Sequence, residues 1–254
     1  MKTILIIIFA SLLCLEGSEE VVEIGVFYEP WSPNLTSKIR VDQDEVEGAE
    51  FSLDDVGINE KFQPAIFSLK TTLWKRHDFN LSFYPLSYSG QIVLDEEIRF
   101  KGETYEINDT INSEFSLNLV QFGYTFFPLM IKGFKAGLGV TGNQGKVKAH
   151  IEDTTLGESR DYERSSLLPT IFLDLGYKYK IAEAKFRVGS FFKTEWGSIL
   201  QAEMYGLIKP IPSFEYLGLG IGIKHFQMEW NLDESDGKVE MTGGFFIISS
   251  SFTL

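Results

Sequence analysis

From residue 21 onward the apolar residues of this chain recur at every second position, in ten separate stretches. A period of two is the geometry of a β-strand, whose side chains point alternately to opposite faces. The stretches are Val21–Trp31, Phe62–Trp74, Asp78–Ile92, Asn112–Phe127, Phe134–His150, Ser166–Lys180, Glu183–Lys193, Ile199–Lys209, Glu215–Trp230 and Val239–Thr253. In Glu215–Trp230, Leu217, Leu219, Ile221 and Ile223 share one face, while Gly218, Gly220, Gly222 and Lys224 share the other. No amphipathic helix and no interior Pro/Ser-rich linker interrupts the series. The chain after its leader, residues 18–254, is therefore expected to be one all-β domain. The expected form is an antiparallel transmembrane β-barrel of about ten strands, with eight and twelve the neighbouring even counts.

The first residues bear on the compartment. Lys2 is followed by an apolar run from Ile4 to Leu15, and Glu16, Gly17, Ser18, Glu19 and Glu20 then turn polar. This is the layout of a secretory signal peptide, with cleavage expected after Gly17. The run falls short of the roughly 20 residues a membrane-spanning helix needs. Cys14, preceded by Leu13, reads as part of the removed run, so the mature chain has no cysteine and relies on backbone pairing and packing. Acidic residues outnumber basic ones by 36 to 23, a net charge of −13. That balance argues against nucleic acid, whose phosphates call for clustered Lys and Arg.

The connections expected between strands alternate in length. Lys75–His77, Pro128–Gly133, Ile181–Ala182 and Pro210–Phe214 are short, whereas Asn34–Lys61, Val93–Ile111, Ile151–Ser165 and Asn231–Lys238 are longer and mostly acidic; only the connection around Trp196–Ser198 is short where length is expected. Short periplasmic turns and longer extracellular loops mark an outer-membrane barrel. With ten strands, both termini fall on the short-turn rim. Alternation alone does not say which face is outward, and a soluble secreted β-barrel carrier has its apolar face inside. Trp31, Trp74, Trp196 and Trp230 all stand at or near expected strand ends, where an interface girdle of aromatics is expected.

In these features the chain resembles the small single-chain outer-membrane barrels of Gram-negative bacteria. The last strand, Gly243–Leu254, is similar to their C-terminal assembly segment: Phe246, Ile248, Phe252 and Leu254 alternate, with Phe252 two residues before the end. The resemblance implies a bacterial outer-membrane location. It also implies outer-membrane lipids and, during insertion, the barrel assembly machinery as partners. Some barrels of this class are enzymes. The ten-stranded proteases among them carry paired acids and an Asp-x-His at the outer rim, and none of His77, His150 and His225 stands in Asp-x-His. Asp54-Asp55 is an acidic pair in the first long loop, and His150 with Ser165 or Ser166 is the arrangement that lipid hydrolysis would call upon. Metal-ligand spacing, a phosphate loop and a nucleophile elbow are absent, so neither a metal nor another cofactor is expected.

On this alternation the interior receives Glu23, Lys70, Lys135, Asp174, Lys178, Arg187, Glu203 and Lys224. Asp174, Arg187, Glu203 and Lys224 fall on four successive strands and alternate in sign. Charges inside a narrow barrel are paired or hydrated, because a bare buried charge costs several kcal/mol. The expectation is a non-enzymatic barrel with a structural, adhesive or small-solute role and a lumen largely plugged by ion pairs. The alternatives are a lipid- or peptide-hydrolysing barrel and the soluble carrier.

Overall fold

The computed structural model describes residues 22–42, 48–58, 64–194, 197–210, 217–232 and 235–253. The signal-peptide residues, Trp196, Leu254 and the loop acids Asp44, Glu45, Glu47 and Glu60 lie outside the described residues. Among the described residues twelve strands form: β1 (Val22–Val41), β2 (Ala65–Leu73), β3 (His77–Val93), β4 (Ile98–Phe100), β5 (Glu103–Tyr105), β6 (Thr110–Ile131), β7 (Phe134–Asp153), β8 (Ser159–Tyr179), β9 (Ala182–Thr194), β10 (Gly197–Ile208), β11 (Leu217–Leu232) and β12 (Ser235–Thr253). All except β4 and β5 close into one antiparallel barrel of ten strands, in the order β1-β12-β11-β10-β9-β8-β7-β6-β3-β2. The seam joins the two ends of the chain, with Glu23 opposite Thr253 and Val41 opposite Ser235. Both ends of the barrel sequence thus lie on one rim, called the lower rim here, together with the turns after β2, β6 and β8.

Local chemistry makes those turns tight. Lys132 and Gly133 both have positive φ, 44° and 87°, which is the conformation a two-residue hairpin demands. A Cβ on Gly133 would stand 2.3 Å from the Lys178 carbonyl oxygen, so only glycine fits.

Register shifts break the parity between Phe126 and Leu129 and between Gly197 and Ile199; along the long strands between such points it holds, but its chemistry inverts halfway. β7 shows this best. Lys135, Gly137, Gly139, Thr141, Asn143, Val147, Ala149 and Ile151 face inward; Phe134, Leu138, Val140, Gln144, Lys146, Lys148 and His150 face outward. Below about residue 142 the outer face is apolar and the inner face polar. Above it the outer face is charged and the inner face is apolar. β11 repeats the pattern, with Leu219, Ile221 and Ile223 exposed below and His225, Gln227 and Glu229 on the same face above, while Phe226, Met228 and Trp230 turn inward.

The barrel therefore has two solvents. Its lower half carries an exposed apolar belt that includes Phe83, Phe122, Leu138, Ile171, Ile221 and Phe246. Such an area on a protein wetted all round would be a severe aggregation liability, whereas a bilayer accepts it. Its upper half is built like a water-soluble barrel, around a dry core that includes Trp31, Leu86, Phe115, Leu117 and Met241.

This inversion corrects the expected loops. β1 runs on to Val41 rather than ending at Trp31, β7 and β8 extend until only residues 154–158 connect them, and β11 and β12 are joined through 233–234. The charged residues that suggest loops, such as Lys38, Arg40, Glu163 and Lys238, are the outer faces of these extended strands. The two connections that remain long close the upper mouth. β4 and β5 form a hairpin whose Ile98, Phe100 and Tyr105 are buried, Phe100 meets Phe51 edge-on at 6.0 Å, and Leu53, Val56 and Ile58 of the first loop join the same cluster. Within the first long connection, Lys38 and Glu50 pair at 2.7 Å and Ile39 bridges Phe51, which sets Ser37–Val41 against Ala49–Leu53 as the hairpin expected there.

Candidate functional site: a charged lumen and a lower vestibule

Directly below the dry core lies a layer of charge. Asp174 on β8 is wholly buried and accepts from Arg187 on β9 at 2.7 Å, with Lys185 at 3.2 Å. Lys224 on β11 lies 2.7 Å from Glu29 on β1 and 3.5 Å from Glu203 on β10. Asp78 on β3 lies 2.9 Å from Lys70 on β2 and 4.0 Å from Lys135 on β7. Eight of the ten barrel strands thus contribute a charge to the layer. β6 adds Gln121, whose side-chain amide donates to Asn143 on β7 at 2.7 Å.

The layer is hydrogen-bonded well beyond its ion pairs. Thr72 donates to Asp78 at 2.6 Å, Ser68 and Ser82 bond at 2.8 Å, and Asn143 donates to both the Leu168 carbonyl and Thr170. Rings sandwich the cations: Arg187 lies 4.5 Å over Phe172, and Lys224 lies 4.8 Å over Phe245. Cation–π contact and paired carboxylates together offset the desolvation of these groups.

The structure therefore brings Asp174, Arg187, Glu203 and Lys224 into one layer, as two linked pairs rather than one chain. It also places there Glu29, Lys70, Asp78, Lys135 and Lys185. Glu29 and Lys185 escaped the sequence reading, although both sit at inward parity in their strands and that parity was the available signal. Asp78 was read only as the neighbour of His77 at a strand start.

The expected aromatic girdle needs correction. Trp31 and Trp230 face inward, exposed by 0% and 7%, and Trp31 Nε1 donates to the Gly243 carbonyl at 3.3 Å. They are core residues because their strands continue past them into the upper half. Trp74 sits in a lower turn, its ring edge-on to His77 at 5.6 Å, and Trp196 lies outside the described residues.

Below the charged layer the lumen opens into a vestibule of about 550 Å³ at the lower rim. Glu23, Lys70, Lys135, Lys178 and Glu183 line it, with Phe27 and Tyr205 as apolar wall.

No hydrolytic constellation forms around the histidines. His150 meets Asp161 at 2.8 Å on the outer wall, but Ser165 lies opposite Lys146 and Ser166 opposite Gly145, several positions down the same strand pair. His77 bonds the Tyr124 hydroxyl and His225 the Thr242 hydroxyl, both on outward faces. Asp55 accepts from the Ser52 amide within its own loop. Among the described residues no group of three or more His, Cys, Asp or Glu side chains is placed to hold a metal ion. On the same outer wall Glu163 bridges Lys146 and Lys148, at 2.6 and 2.9 Å, and their hydrogen bonds hold its carboxyl below the ordinary range.

Comparison with solved structures fits this geometry. The outer-membrane protease OmpT of Escherichia coli superposes with a TM-score of 0.58 at 9% identity, over 93% of this chain and 99% of that one. The chain shares the closed β-barrel fold of that structure. Ail, the attachment invasion locus protein of Yersinia pestis, matches at a TM-score of 0.35, with 15% identity over 90% of this chain and 99% of its own. The toluene transporter TodX of Pseudomonas putida matches at 0.30, with 7% identity over 94% and 91%. No protein-family model matches the chain, and no curated protein does.

Proposed function

We propose that this protein is exported to a bacterial outer membrane and works there as a closed, non-enzymatic barrel with a structural or adhesive role. The carrying observation is the dry apolar core above the charged layer, roofed by the β4–β5 hairpin. Two unlike barriers in series leave no continuous aqueous path for a solute. In this reading the apolar belt of the lower half lies in the bilayer, the lower rim faces the periplasm, and the charged upper wall stands outside the cell. The outward alternation of Phe246, Ile248 and Phe252 on β12 supports handling by the barrel assembly machinery, and the belt supports outer-membrane lipids as its solvent.

The test combines location and conductance. The mature protein should fractionate with outer membranes, migrate differently on a gel before and after boiling, and give no steady conductance in planar bilayers. Recovery of folded protein from the soluble periplasm sinks the location, and a steady open channel sinks the closed-barrel reading.

A further inference from the structure

The vestibule has a charge at odds with the rest of the molecule. The chain carries a net charge of −13, yet this concavity is lined by Lys70, Lys75, Lys132, Lys135, Lys178 and Lys209 against only Glu23 and Glu183. Lys70 and Lys135 are engaged with Asp78 at its inner end. Among the described residues, Lys75, Lys132, Lys178 and Lys209 make no ion pair within 4 Å, and all four residues line the cavity, the first three exposed at its mouth and Lys209 half-buried. The backbone fixes their positions: Lys75 and Lys132 sit at positive φ in tight turns, the Lys178 amide donates to the Gly133 carbonyl, and the Lys209 amide donates to Ile181. Two of the four thus stand on turns and two on strand ends, around the rim of one low-dielectric cup.

Several like charges held around a concavity repel one another unless a counter-charge occupies it, and the walls focus their field inward. The volume, about 550 Å³, matches the range of small-molecule sites. Phe27 and Tyr205 give it a partly apolar wall, which suits a ligand with a carbon body rather than a bare halide. We infer that the lower vestibule is a binding site for a small multivalent anion bearing phosphate or carboxylate groups, with Lys132, Lys178 and Lys209 as its principal contacts. Each ammonium offers a charge-assisted hydrogen bond to an anionic oxygen. The inference goes beyond the closed-barrel reading and takes from it only that the lower rim opens to water. Binding and conductance fail independently.

The test is calorimetric titration of the full mature chain, refolded in a zwitterionic detergent at low salt, with inorganic pyrophosphate and, separately, citrate. The two probes distinguish a phosphate from a carboxylate preference. The expected result is saturable binding of at least one of them, one per barrel, weakened at least about tenfold in a Lys132→Gln/Lys178→Gln/Lys209→Gln variant. Lys180→Gln is the control, since Lys180 lies over the Tyr179 ring at 5.3 Å and does not line the cup; it should bind as wild type does. Glu183→Gln removes the opposing charge directly across from Lys178 while keeping every lysine and should tighten binding several-fold, a readout that survives if the triple variant does not refold. Absence of saturable binding by both probes overturns the inference. So does an unchanged affinity in the triple variant, an unchanged affinity in Glu183→Gln, or an equal loss in Lys180→Gln, which would mark a general attraction to the rim.

Discussion

Asp174 shows how much depends on single side chains in the lumen. It is wholly buried and serves two cations, Arg187 and Lys185. Removing one partner of a buried pair costs about 3–5 kcal/mol, because the other charge is left uncompensated. The two truncations are not equivalent. Arg187→Ala leaves Asp174 with Lys185 still at 3.2 Å, whereas Asp174→Ala leaves two adjacent cations and no acid between them. Asp174→Ala should therefore destabilise the barrel by the full amount and Arg187→Ala by distinctly less, in urea unfolding followed by the gel-mobility shift. Equal losses would show that Lys185 does not compensate. At the upper mouth, Tyr105 makes a different bargain. Its hydroxyl donates to the Ile151 carbonyl at 3.2 Å, and burial pushes its pKa from 10.0 to about 12, opposed by Arg160 and reinforced by Glu103, Asp153 and Glu158. A raised folded-state pKa means the neutral phenol is favoured by folding. The stabilisation is complete below pH 10 and lost as the pH climbs through about 12. The phenolate absorbance of the wild type should contain a late-titrating component that Tyr105→Phe diminishes by one tyrosine; a curve identical in the two proteins contradicts the burial. Alternation made Asp174, Arg187, Glu203 and Lys224 readable as inward from sequence. Their actual partners were not readable, because pairing depends on which strands the closed barrel sets side by side and at what stagger.

At the scale of the strand, the period of two was legible and the inversion within it was not. Polar-out and apolar-out halves share one parity, so β7 reads as a single alternation from Phe134 to Asp153 while its two faces exchange solvents. The outward charges of the upper half looked like loop residues, and this ended β1 ten residues early and turned Trp31 into a supposed interface aromatic. The inversion makes a paired prediction on one strand. Leu219 and Gln227 lie on the same outer face of β11, one within the apolar belt and one above it. Leu219→Arg should cost about 2–4 kcal/mol if it lies near the bilayer midplane, whereas Gln227→Arg should stay within about 0.5 kcal/mol of wild type. Urea titration in lipid vesicles measures both, and a neutral Leu219→Arg would place the belt outside the bilayer. The inward glycines between them follow a different rule. A Cβ on Gly220 would stand 2.5 Å from the Gly206 carbonyl oxygen, and one on Gly222 would stand 2.6 Å from both the Met204 carbonyl oxygen and the Phe245 ring. Even alanine at these positions must push the backbone of β10, so their intolerance comes from crowding and not from lipid.

For the whole molecule, the decisive property is that its two closures are unlike and stacked. In the closed-barrel proposal the charged layer excludes ions because passage would break contacts made at low dielectric, and the apolar core above excludes water because nothing there replaces its hydrogen bonds. Barriers in series are governed by whichever remains shut. Opening the lower one alone, as in Arg187→Ala, admits water from the vestibule only as far as Trp31 and its neighbours. Opening the upper one alone, as in Trp31→Ala with Phe115→Ala, leaves a cavity within the core while the charged layer still spans the lumen below it. Each change carries its own stability cost, about 3–5 kcal/mol per large core truncation, so conductance must be read on protein shown to be folded by its gel mobility. In planar bilayers the wild type, Arg187→Ala and the core double variant should each give at most rare, flickering events. The three changes combined should give a steady current, because only then is the lumen hydrated from rim to rim. A steady current through Arg187→Ala alone would mean that the apolar half is no barrier, and that the ion pairs by themselves keep this barrel shut.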